Sequence, residues 1–111
     1  MRTAGSLEIV GRVDALAMNS MTAVVLSNGE KVCLVRTAAG ICALVDRCSH
    51  REFPLTAGEV TRDGLIECAW HGALFDPTTG VMLTGPGGDD VKRYDVRLDG
   101  ETITIDPTSA R

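Results

Sequence analysis

The stretch "CSHREFPLTAGEVTRDGLIECAWHGALFD", residues 48–76, carries two cysteine–histidine pairs, Cys48-x-His50 and Cys68-x₂-His71, separated by seventeen residues. His50 and His71 are the only histidines in the 111-residue chain. A single Cys or His in a strand-rich protein is ordinarily a packed side chain. Two pairs that consume every histidine, each within three residues of a cysteine, point instead to a metal centre. Thiolate and imidazole are the donors of both zinc sites and iron–sulfur sites.

Outward from that stretch the chain reads as strands and turns. "LEIVGRV" (7–13) is a first strand, and "TAVVL" (22–26) and "KVCLV" (31–35) flank Asn28-Gly29, a two-residue hairpin signal. "AAG" (38–40) turns the chain into "ICALV" (41–45), which completes a meander. Between the two pairs, "GLIEC" (64–68) is a strand. "GALFD" (72–76) and "GVMLT" (80–84) flank the turn "PTTG", and "YDVRL" (94–98) and "ETITI" (101–105) meet at Asp99-Gly100. No window keeps a helical period for three turns, and "VDALAMNSM" (13–21) holds at most one short turn. The predicted class is all-β and antiparallel, in one domain over 1–111.

Composition narrows the function. A net charge of −4 with no cluster of Lys and Arg argues against a nucleic-acid binder. No apolar run approaches the length of a membrane span, and "MRTAGSLEIVGRV" lacks the apolar core of an export signal. The expected compartment is the cytoplasm, where thiols stay reduced; Cys33 and Cys42, inside apolar strands, read as buried free thiols. The carboxylates are scattered and read as a solvated surface. "GPGGDD" (85–90) is not a nucleotide-binding glycine motif, because Asp89 and Asp90 would repel a pyrophosphate.

Zinc and a two-iron cluster compete for the four ligands. Cys₂His₂ is a common tetrahedral zinc set, but zinc arms usually place two cysteines two to four residues apart. Here each arm carries one sulfur and one nitrogen. Residues i and i+2 of extended chain point to the same side, so the tips of Cys48 and His50 run side by side. That suits two adjacent metal atoms better than one. A zinc-stabilised interaction module stays open as the alternative.

The pattern Cys-x-His…Cys-x₂-His resembles the Rieske family, whose 2Fe–2S centre replaces two cysteines by two histidines on one iron. The resemblance runs from about Lys31 onward and takes in "PLTAGEV" (54–60), "GALFDPTTG" (72–80) and "GPGGDDVKRYDV" (85–96), the last similar to the family's loop over the cluster. It implies antiparallel base sheets with a smaller cluster-binding subdomain at about 46–88. It also implies that Cys48 and Cys68 hold one iron and His50 and His71 the other. With two thiolates instead of four, the oxidised centre is neutral and the reduced one carries a single negative charge. Reduction is then easier, at roughly −150 to +300 mV.

Respiratory Rieske proteins of quinol-oxidising complexes carry a serine and a tyrosine after the second histidine, and a disulfide between the arms. The matching positions here are Ala73 and Phe75, with Phe53 and Trp70 in place of the cysteines. Hydrogen bonds to the sulfurs raise the potential, so their loss implies a value low in the range. Ala69 stands where similar ferredoxins have proline. Gly72 and Gly85-Pro86-Gly87-Gly88 are expected to let backbone approach the cluster closely, and Pro54 to stiffen the first arm.

With both histidines committed, none remains for a mononuclear iron or a hydrolytic triad. The resemblance therefore implies a Rieske-type ferredoxin that carries no catalytic residues. It would pass single electrons from a flavin-dependent NAD(P)H ferredoxin reductase to a terminal Rieske oxygenase acting on an aromatic substrate. The small Rieske subunit of an assimilatory nitrite reductase is the second reading. Arg51, Glu52, Phe53 and Trp70, beside the ligands, are the candidate docking rim.

Overall fold

The structure, a computed structural model, describes residues 7–47, 53–69, 72–85 and 90–111. Its strands are β1 (Glu8–Arg12), β2 (Ser20–Val25), β3 (Lys31–Thr37), β4 (Gly40–Val45), β5 (Glu59–Val60), β6 (Ile66–Glu67), β7 (Leu74–Phe75), β8 (Met82–Thr84), β9 (Arg93–Tyr94), β10 (Val96–Asp99) and β11 (Thr102–Ile105). Among the described residues every pairing is antiparallel and no α-helix occurs, which agrees with the all-β expectation. The strands form three sheets, ordered β1-β11-β10, β2-β3-β4-β9 and β5-β6-β7-β8.

The sheet β2-β3-β4-β9 is the middle layer. In the strand "KVCLVRT", Val32, Cys33, Leu34 and Val35 are all buried. A continuous apolar run suits a strand covered on both faces, and successive side chains point to opposite sides. Val32 and Leu34 pack with Ala43, Tyr94, Ile103 and Ile105, which fastens the first sheet to one face. Cys33 and Val35 pack with Leu44, Leu55, Ile66, Cys68 and Phe75, which fastens the third sheet to the other. Each fully buried Leu, Ile or Phe contributes roughly 1.5–3 kcal/mol. The third sheet, inserted between β4 and β9, is therefore anchored to the base by an apolar seam.

The turns differ from the sequence reading in instructive ways. Asn28-Gly29 does not make a two-residue hairpin. Leu26 N–H donates to the Glu30 carbonyl at 2.9 Å, which leaves Ser27, Asn28 and Gly29 as a three-residue loop. Gly29 has φ +89° whereas Asn28 does not enter the left-handed region, so the mirror-image turn that needs positive φ at both positions is absent. The last hairpin is displaced by one residue. Asp99 pairs with Thr102, so Gly100 and Glu101 are the turn, with positive φ at Gly100 alone.

"YDVRL" is not one strand either. Tyr94 pairs with Ala43 in the middle sheet, and Val96–Asp99 pairs with β11 in the first. Between them Asp95 N–H leaves the ladders and donates to Ser109 Oγ at 2.8 Å. The alternation of inward and outward residues continues across this switch, so periodicity alone cannot reveal it. "GLIEC" contributes only Ile66–Glu67 to a strand. Gly64 (φ +83°) belongs to the preceding turn and Cys68 to the following loop. The short turn foreseen in 13–21 is a single 3₁₀ turn at Val13–Ala15; a second, at Leu55–Ala57, has no counterpart in the sequence reading.

Candidate metal centre

The first arm leaves the end of β4. Val45 N–H donates to the Lys92 carbonyl at 2.9 Å and Asp46 N–H to the Lys31 carbonyl at 3.0 Å, so the root of the arm is pinned on both sides. The chain re-enters the core at Leu55, which is fully buried and begins the 3₁₀ turn. Pro54 precedes that turn at φ −68° and its carbonyl accepts from Ala57 N–H at 3.1 Å, so the expected stiffening acts at the far end of the arm. Phe53 is half-buried and packs against the seam that contains Leu44 and Phe75.

The two ends of this arm are joined by side chains. Asp46, with only 8% of its surface exposed, accepts from Thr56 N–H at 2.9 Å and from Thr56 Oγ1–H at 2.8 Å. These contacts are absent from the sequence reading, which treated the carboxylates as a solvated surface. The sole sequence signal is a Thr in a turn; the ten-residue separation and the burial are tertiary facts.

The second arm joins β6 to β7. Ile66 and Glu67 pair with Phe75 and Leu74, and Cys68 N–H donates to the Ala73 carbonyl at 2.8 Å. The ladder thus continues to the base of a four-residue loop, 69–72. Gly72 ends it at φ +68°, a conformation that L side chains adopt at a cost. Cys68, at 1% exposure, sits at the root with Ala73 and Phe75, both fully buried. Ala69, in the loop, is exposed.

A third loop follows β8. Met82 N–H donates to Asp90 Oδ1 at 2.9 Å, which closes its base. Gly85 lies at φ +138°, and a Cβ there would come within 2.7 Å of Ala73 Cβ. Its glycine is therefore required by contact with the second arm. A cavity of about 290 Å³ lies at the junction of the arms, lined by Ala57, Gly58, Glu59, Glu67, Cys68, Ala69 and Gly72. Glu59 and Glu67 face each other across β5 and β6, both exposed and with no ion pair among the described residues.

Of the four predicted ligands, Cys68 is placed by the structure as described. Cys48, His50 and His71 lie outside the described residues, as do Arg51, Glu52, Trp70 and Pro86–Asp89. The surroundings of Cys68 fit an iron–sulfur cluster. A thiol at the root of a glycine-turned loop, backed by Ala73, Phe75 and Ile66, gives a sulfur ligand shielded from water on its inner side. Cys33 and Cys42 are different. Both are free thiols, set diagonally on one face of β3 and β4, since Cys33 pairs with Leu44 and Val35 with Cys42. Cys33 Sγ lies 3.6 Å from Met21 Sδ, and burial first, then the charge of Asp46, pushes its thiol well above the ordinary value. Burial and then Asp76 raise Cys42 as well, while Arg93 pulls it partly back. Both stay protonated and serve as apolar filling.

Comparison with known proteins agrees with the site. Residues 6–95 match the Rieske [2Fe-2S] domain. The chain is 32% identical over 80 residues to the 3-phenylpropionate/cinnamic acid dioxygenase ferredoxin subunit of Escherichia coli (strain K12), covering 72% of this chain and 76% of that protein. It is 37% identical over 75 residues to apoptosis-inducing factor 3 of Mus musculus, of whose length it spans only 12%. Among solved structures, the ferredoxin of carbazole 1,9a-dioxygenase from Nocardioides aromaticivorans IC177 superposes with TM-score 0.86 at 31% identity, over 94% of this chain and 100% of that one. A dicamba monooxygenase shares the fold with TM-score 0.80 at 24% identity, over 92% of this chain and 32% of that one. With a match over most of its length and the Cys68 loop built as above, the chain belongs to the Rieske family of 2Fe–2S proteins.

Proposed function

We propose that this chain is a one-electron carrier, a Rieske-type ferredoxin that receives electrons from a flavin-dependent reductase and delivers them to a terminal Rieske oxygenase. Cys48, Cys68, His50 and His71 hold its single 2Fe–2S cluster, thiolates on one iron and imidazoles on the other. Bound there, the cluster supplies a reversible one-electron couple. The rest is done by the chain. Its apolar seam keeps water from the inner side of Cys68, and backbone hydrogen bonds fix the described roots of both ligand arms at Asp46 and Cys68. The observation that carries the carrier reading is the extent of the match. It covers 94% of this chain and the whole of the Nocardioides ferredoxin at 31% identity, and both histidines of this chain lie in the ligand pattern.

Membership of the family displaces the zinc alternative, because the family's cofactor is a 2Fe–2S cluster. The chain's region about 46–88 is the cluster-binding part in this reading; β5 to β8 lie inside those limits. No helix among the described residues is long and apolar enough to cross a membrane.

The test is reconstitution. Catalytic amounts of the chain should couple NAD(P)H oxidation by a flavoprotein reductase to turnover of a terminal oxygenase on an aromatic substrate, with no turnover when the chain is omitted. Tight co-purification with a sirohaem enzyme and failure to support any oxygenase would favour the nitrite reductase subunit instead.

The potential gives a second prediction. Ala73 and Phe75 are both fully buried and neither carries a hydroxyl. With no hydrogen bond to the sulfurs from these two positions, the midpoint should fall in the lower part of the roughly −150 to +300 mV window. Protein-film voltammetry at neutral pH measures it, and a midpoint well above zero contradicts the assignment.

A further inference from the structure

The first ligand arm is bridged at its base by a contact that no ligand pattern requires. Asp46 is one of two buried polar side chains among the described residues, Thr37 being the other. A carboxylate withdrawn from water is costly unless its oxygens are satisfied. Both are: one oxygen takes the Thr56 N–H and the other the Thr56 hydroxyl. Each partner is independently fixed. Asp46 N–H is bonded to the Lys31 carbonyl of β3, and Thr56 follows the fully buried Leu55 within the 3₁₀ turn. The contact therefore ties the base sheet at Asp46 to the 3₁₀ turn at Thr56, ten residues further along the chain. Closing a loop removes most of the conformations that its interior could otherwise sample.

We infer that the Asp46–Thr56 pair is a clamp that preorganises the first arm, so that Asp46 and Thr56 are positioning residues for Cys48 and His50. This rests on the assignment of those two residues as ligands. The same hydrogen bonds, were they only structural, would raise the stability of the whole fold and leave the cluster no more dependent on them than on any other core contact. The two roles differ in what happens to the cluster at equal overall stability.

Thr56→Val keeps the shape and the backbone N–H but deletes the hydroxyl donor, and Thr56→Ser keeps both donors. In the cluster-loaded protein, loss of visible absorbance in excess chelator under anaerobic conditions reports release. Thr56→Val should release its cluster about tenfold faster than wild type, in the manner of lost outer-sphere contacts. Thr56→Ser should match wild type. Ile103→Val, on the opposite face of the middle sheet, lowers global stability without touching the arm and should leave the release rate unchanged. The reduced Thr56→Val protein should also show broadened EPR lines, and Ile103→Val should not. If Thr56→Val does not fold, Asp46→Asn, which keeps the side chain's shape and one oxygen acceptor, must show the faster release. A release rate in the clamp variants equal to wild type, or an equal acceleration in Ile103→Val, overturns the clamp. A wild-type protein without iron or acid-labile sulfide overturns the ligand assignment itself, a separate and distinguishable failure.

Discussion

Cys68→Ser is expected to leave the protein colourless. Iron should fall from about two per chain to near zero, with acid-labile sulfide lost in parallel, because a thiolate is the ligand that such clusters require. A serine hydroxyl at the same place does not ionise near neutral pH and offers a hard oxygen where iron and sulfide favour sulfur. Cys68 is 1% exposed among Ile66, Ala73 and Phe75, so its thiol is withdrawn from bulk solvent. Metal binding and folding are coupled in such sites, and both arms should become more sensitive to protease. The β1-β11-β10 sheet should keep its far-ultraviolet signature, since its packing against Val32 and Leu34 does not involve Cys68. Metal analysis and visible absorbance of anaerobically prepared protein decide the matter. Retention of two irons by the variant would remove Cys68 from the ligand set.

Gly58→Ala should be strongly destabilising through contact alone. The φ of Gly58 (−92°) lies outside the left-handed region that favours glycine. The penalty is contact: a Cβ there would overlap the Glu67 carbonyl oxygen and stand 3.1 Å from Ala69 N. Those atoms are backbone of β6 and of the second arm, and they cannot swing aside. The loss should reach about 3 kcal/mol, the upper end of overpacking costs, and lower the melting temperature by roughly 10–15 °C. Gly11→Ala is the control, because its new methyl would meet nothing closer than Leu34 Cδ1 at 4.0 Å. Thermal melts of both variants followed by circular dichroism provide the measurement. Equal melting temperatures would show that the two arms are not in backbone contact at Gly58.

Much of the molecule is legible in its residues one neighbourhood at a time. The apolar run at Val32–Val35 announces a strand covered on both faces, and the middle sheet has it there. Cys33, lying within an apolar strand, reads as a buried thiol and is one, whereas Cys42, read the same way, is only half-buried. The meander of β2, β3 and β4 follows from alternation and from glycines at the turns. Less of the detail survives at short strands. β5 is two residues long and owes its existence to Ile66 and Glu67 opposite it. Asn28-Gly29 names a turn without setting the loop length, because Leu26 and Glu30 close the ladder one residue short of the two-residue form.

Residue chemistry alone names the proposed metal donors: two thiols and two imidazoles at spacings that put one of each on either arm. That much is local, since ligand type and i, i+2 or i, i+3 geometry are properties of a few consecutive residues. Tertiary structure alone decided what stands behind those arms. It buried Asp46 against a threonine ten residues away, brought Gly58 into backbone contact with β6, and divided 93–99 between two sheets. Each of these depends on which distant segment fills the adjoining space, and close packing makes that choice only once the whole chain has folded.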